Sequence, residues 1–123
     1  MSMFADLPAR LVCTGQAVAP DAAALARLLL LAPVLEEWVV RAGLQEWLIR
    51  RRAAEGGRGM AVVWSALAFG LLHAGSGWRA VLLVLPPGLA LALLYQRRRD
   101  WRLCVLLHCA MNALAVGGCA LST

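Results

Sequence analysis

Long apolar runs broken by clusters of arginine constrain this chain more than any other feature. The runs cover about 22–49, 60–75, 78–95 and 101–121. At ~1.5 Å per residue the first is about 42 Å long, more than a hydrocarbon core of about 30 Å requires. The second is barely long enough, and the third is interrupted near its middle by Pro86-Pro87-Gly88. The chain is 62% hydrophobic, against the roughly 45–50% of soluble domains, and the excess lies in these runs. The expectation is an all-α polytopic membrane protein with a four-helix transmembrane bundle. Its single core is 21–123, after an interfacial segment, 1–20, that lacks the apolar stretch of a cleavable signal.

The arginines set the orientation. The chain has no lysine, and Arg50, Arg51, Arg52 and Arg58 lie between the first two runs. Arg97, Arg98, Arg99 and Arg102 lie around the last junction, whereas the middle connection offers only Arg79. The positive-inside rule places both Arg-rich loops in the cytoplasm and both termini outside. Trp47, Trp78, Tyr95 and Trp101 fall near span ends, as an aromatic belt would. Arginine at span ends suits lipid headgroups, and no basic face with interleaved aromatics speaks for nucleic acid. The Arg-rich, Lys-free composition points to a GC-rich bacterial genome and so to the inner membrane. Cys13, Cys104, Cys109 and Cys119 form no C-x-x-C pair and read as small buried hydrophobes.

Ionisable groups inside spans are costly, so each asks for a partner or a task. Those of note are Glu36, Glu37, Arg41, His73 and His108, with the neutral Asn112. Glu37 and Arg41 are spaced to pair along a helix. Glu36 points about 100° away and is left free to handle a proton. The cluster reads equally as an ion-pair patch that packs helices. Pro33, one turn earlier, should bend or loosen the helix. His73, one turn after Phe69, reads as a core histidine or a ligand of chemistry. His108 and Asn112 project from one face, as two donors to an oxyanion or as an interhelical polar contact. Counted at ~1.5 Å per residue, Glu36 lies about 21 Å from Arg50 and His73 about 22 Å from Arg58. His108 and Asn112 lie only about 9 and 15 Å from Arg102, so the second histidine reads as shallow.

Glu36-Glu37-x-x-x-Arg41, Phe69-x-x-x-His73 and His108-x-x-x-Asn112, in that order and one per span, resemble the three motifs of the CAAX-protease and bacteriocin-processing (CPBP, or Abi) family. The resemblance runs from about Pro33 to Val116. It implies a helical intramembrane endopeptidase of glutamic type, in which Glu36, assisted by His73, activates water. His108 and Asn112 would then stabilise the oxyanion, while Glu37, Arg41 and Phe69 support the site. The family has also been called a metalloprotease family. Without H-E-x-x-H, and with Asn112 in place of a good third ligand, zinc is disfavoured and no cofactor is expected. The run Arg41-Ala42-Gly43-Leu44-Gln45 resembles compact bacterial members associated with C-terminal sorting signals. The implied partner is a membrane-associated protein substrate within a lipid bilayer. The alternatives are a non-enzymatic immunity or partner-binding module that keeps the polar core for packing, and an ion pathway.

Overall fold

The computed structural model describes residues 21–52 and 57–121. Among them are four helices, one short 3-10 turn and no strand, so the all-α expectation holds. Helix α1 spans 22–52, α2 Arg58–Leu71, α3 Trp78–Arg98 and α4 Trp101–Leu121, with the 3-10 turn Ala74–Ser76 between α2 and α3. The interfacial segment expected at 1–20, with Cys13, and residues 53–56 of the first connection lie outside the described residues.

Helix α1 begins where Asp21 accepts a 2.7 Å hydrogen bond from the Ala24 N–H, as an N-cap should. Two wide π turns interrupt it, at Arg27–Leu31 and Trp38–Gln45. Pro33 explains the first. It has no N–H for the carbonyl of Leu29, and its ring crowds that carbonyl. The ladder widens just before it, with the Ala32 N–H donating to Arg27 O. The second π turn carries Arg41 and Gln45. Four residues overshoot a full α-helical turn by about 40°. A wider turn counters that drift and keeps Glu37, Arg41 and Gln45 near one line.

Helix α3 corrects the expectation of a break at Pro86-Pro87-Gly88, because it runs unbroken to Arg98. The carbonyls that lose their donors to the two prolines belong to Leu82 and Leu83, both on the outer face. Gly77, with φ of 96°, makes the turn into α3, where a side chain would be strained. Arg99 ends the helix in the left-handed region, with φ of 53°. Its guanidinium turns back onto Glu46, which also accepts from Arg50 and, at 2.6 Å, from the Tyr95 hydroxyl. Tyr95 is therefore buried, not a member of an outer aromatic belt. Trp47 and Trp78 do face outward.

Polarity is distributed inside out. Glu36, Glu37, Arg41, Gln45, Ser65, His73, His108 and Asn112 are buried, while Trp38, Leu71, Leu83, Leu106 and Leu114 are among the exposed residues. One apolar cluster, which includes Leu48, Ile49, Ala61, Leu91 and Tyr95, packs toward the Arg-rich end. A smaller one joins Leu28 and Ala32 to Val116 at the other. Among the described residues, α3 alone is long and apolar enough to cross a membrane; Gly59–Leu71 and Trp101–Gly117 are shorter apolar helices.

Helices α2 and α3 pack most extensively, through two glycines. A Cβ on Gly70 would lie 2.9 Å from Leu85, and one on Gly88 would lie 2.7 Å from the Phe69 ring. Gly88→Ala should therefore lower the thermal unfolding midpoint in detergent. Overpacking of about 1–3 kcal/mol outweighs the roughly 1 kcal/mol that alanine gains in helix propensity. An equal or higher midpoint would contradict this packing.

Candidate active site

Helix α1 supplies the anionic part of the site. Glu37 Oε2 accepts from Arg41 Nε at 2.8 Å, and both side chains are fully buried. The pairing expected from their spacing is thus present, and it neutralises two charges that apolar surroundings would otherwise penalise. Glu36 is 1% exposed, yet neither of its carboxylate oxygens has a hydrogen-bond partner. Nearly every buried polar side chain is paired in folded proteins. Glu36 is thus the exception in a satisfied neighbourhood.

Helix α4 brings His108 to both glutamates. Its Nδ1 lies 2.8 Å from Glu37 Oε1, and its Nε2 lies 3.6 Å from Glu36 Oε2. A carboxylate held by arginine can only accept, so His108 carries its proton on Nδ1 and turns Nε2 toward Glu36. The shallow depth counted for His108 is corrected, since the ring sits at the level of the two acids. Asn112, one turn further along α4, donates from Nδ2 to the carbonyl of Leu28 at 2.9 Å. That bond ties α4 to the first π turn of α1.

Helix α2 ends at the site. His73 is buried, and its Nδ1 lies 2.9 Å from the carbonyl of Phe69. A carbonyl has no hydrogen to give, so Nδ1 carries the proton and Nε2 keeps its lone pair. Phe69 is the wedge between the groups. Its ring centroid is 5.3 Å from that of His73 and 5.4 Å from that of His108. The Arg41 guanidinium lies over its face at 5.3 Å, within cation–π range. Glu36, Glu37, Arg41, Phe69 and His108 thus form one contact group, His73 joins it through Phe69, and Asn112 flanks it through α1.

Sequence reasoning missed Ser65, Gln45 and the carbonyl of Gly88, all of which accept hydrogen bonds from Arg41. The signal was available. Glu37, Arg41 and Gln45 form a polar stripe at four-residue spacing, and Ser65 and His73 flank Phe69 at the same spacing. Also missed was the second duty of Glu37, to hold His108. Among the described residues, no group of three or more His, Cys, Asp or Glu is arranged to hold a metal ion.

The family model of Rce1-like type II CAAX prenyl endopeptidases matches residues 18–114. The chain belongs to that family. It is a membrane-embedded family of CAAX endopeptidases, and the match encloses all three motifs. No curated protein and no solved structure matches the chain. Membership in the Rce1-like family accounts for the inside-out polarity, because lipid rather than water meets the outer leucines and tryptophans.

Removing one member of the buried pair leaves the other uncompensated. Arg41→Met should destabilise the protein by about 3–5 kcal/mol, read as a loss of detergent-solubilised folded protein on heating. Adding Glu37→Gln should restore part of that loss. A double variant less stable than Arg41→Met alone would show that the pair does not act as a unit.

Proposed function

We propose that the chain is a glutamic-type intramembrane endopeptidase that cuts a peptide bond near the C-terminal region of a membrane-associated protein. The observation that carries this is Glu36, buried and unpartnered beside an imidazole that a second carboxylate orients. In this reading Glu36 accepts a proton from water as the water oxygen attacks the scissile carbonyl carbon, with the Nε2 lone pair of His73 assisting. The carbonyl electrons move to oxygen, and the resulting oxyanion accepts from His108 Nε2, which takes up a second proton from water as substrate binds and keeps it through both steps, and from the second amide hydrogen of Asn112. Glu37 steadies the imidazolium through Nδ1. As the tetrahedral intermediate collapses, the proton held by Glu36 passes to the departing amine, the C–N bond breaks, and Glu36 is an anion again. No metal enters this reading, because Glu37 is committed to Arg41 and His108 and Asn112 stands in place of a good third ligand.

The arrangement in the membrane follows the same reading. All four helices form the bundle of a core spanning 21–123, after an interfacial segment at 1–20, in a bacterial inner membrane with the Arg-rich loops cytoplasmic. Helix α2, with 14 residues, is only about 21 Å long. It reaches the required depth with the turn that follows it. The preferred substrate is a sorting signal made of a short motif, an apolar helix and a basic tail, whose positive tail would lie on the same side as the Arg-rich loops. With the four native cysteines replaced by serine, a single cysteine placed at Arg98 should react with a membrane-impermeant maleimide only from the cytoplasmic side. Labelling of intact cells from outside would reverse the orientation.

The activity test uses the protein reconstituted in lipid nanodiscs with two probes, a farnesylated CAAX peptide and a motif–helix–basic-tail peptide, read by mass spectrometry. One probe should be cut, and chelator should leave the rate unchanged. Glu36→Gln should slow cleavage by about 10²–10⁴-fold, the span of a lost general base, while the protein remains folded. Cleavage at the wild-type rate by Glu36→Gln would reject the assigned base. A folded wild-type protein that cuts neither probe would favour the non-enzymatic module.

A further inference from the structure

Arg41 is held by more than Glu37. A guanidinium has five N–H donors in a fixed fork. Here Nε is engaged by Glu37, Nη2 reaches the carbonyl of Gly88 at 3.0 Å, and Nη1 contacts Ser65 Oγ and, at 3.5 Å, Gln45 Oε1. The Ser65 hydroxyl donates in turn to Gln45 Oε1 at 3.0 Å. Gln45 Nε2 is anchored on α3, at 2.8 Å from the carbonyl of Ala92 and 3.4 Å from Gln96 Oε1. Arg41, Gln45 and Ser65 are all fully buried.

These bonds form one continuous line from the backbone of α3 through Gln45, Ser65, Arg41 and Glu37 to Nδ1 of His108. Each member has little freedom of its own. The Ser65 hydroxyl donates to Gln45 and must present a lone pair to Arg41. That fixes the roll of the guanidinium, which fixes the carboxylate plane of Glu37. The plane of Glu37 decides where Nε2 of His108 points. Resting on the protease reading above, we infer that Ser65 and Gln45 are positioning residues of the reaction. They touch no reacting atom and act on His108 through Arg41 and Glu37. Ser65 could instead merely satisfy Arg41, and then its removal would cost stability without disturbing the ring.

The chain has two histidines, so ¹⁵N-histidine labelling of the nanodisc-reconstituted protein reports each ring separately. In Ser65→Ala, the His108 signals should change from one Nδ1–H tautomer to a mixture, while those of His73 stay fixed. With whichever probe peptide the wild type cuts, kcat should fall about tenfold and KM should stay within about twofold, as expected of a catalytic group displaced by a fraction of an ångström. Ser65→Thr, which keeps the hydroxyl, should restore both readouts. A folded Ser65→Ala protein with wild-type His108 signals and wild-type kcat would overturn the inference. If Ser65→Ala fails to fold, Gln45→Met, which removes the other acceptor of Nη1, is judged by the same two readouts. If the wild type cuts neither probe, the protease reading fails, and the ring signals alone decide whether the line orients His108.

Discussion

The buried pair of Glu37 and Arg41 is the interaction on which the rest depends. Two opposite charges in an apolar interior are tolerable only when they meet and when their remaining donors and acceptors are filled. Here the filling comes from three other helices. Helix α4 supplies His108, α2 supplies Ser65 and the face of Phe69, and α3 supplies the carbonyl of Gly88. Satisfying one arginine and one carboxylate therefore specifies how four helices rotate about their axes. Once that pair is neutral within itself, the adjacent carboxyl of Glu36 is the group with no structural duty.

The local irregularities of the chain serve that arrangement. The second π turn in α1 keeps its polar side chains in line, and such turns occur often at functional sites. Gly88 lets α3 approach closely enough for Phe69 to stand upright between the histidines and for a backbone carbonyl to reach Arg41. At the Arg-rich end, Glu46 gathers Tyr95, Arg99 and Arg50 and ties the foot of α1 to the end of α3. The left-handed backbone of Arg99, worth roughly 1–2 kcal/mol of strain, turns its guanidinium onto Glu46.

What was legible in the sequence was whatever depends on spacing along one helix. The pairing of Glu37 with Arg41, the isolation of Glu36 and the loosening before Pro33 all follow from local geometry. Contacts between helices were not legible, because they depend on the rotation of each helix about its axis. Position along the chain therefore read Tyr95 as part of a belt and passed over Ser65 and Arg27, the latter exposed near the start of α1. Part of the misplaced depth of His108 has a specific cause. Counting 1.5 Å per residue from Arg50 to Glu36 assumes a regular helix, but the π turn at Trp38–Gln45 lies between them. A π turn, bonded i to i+5, winds more residues into each length, so Glu36 sits nearer the Arg-rich end than the count allows.

In lipid, helices gain little from burying leucine against leucine, so cohesion comes from close packing and from polar contacts between them. The exposed leucines and tryptophans of this chain do not hold it together. The close approaches at Gly70 and Gly88 and the network around Arg41 do. Most residues of the candidate site are consequently also the adhesive of the fold, and substitutions at Glu37, Arg41 or Phe69 mix lost stability with lost chemistry. Glu36 stands apart. It is buried among these helices with no hydrogen bond to any of them, and its 3.6 Å approach to His108 Nε2 is a looser contact than those its neighbours make. The functional proposal accordingly rests on Glu36 rather than on the better-connected residues around it.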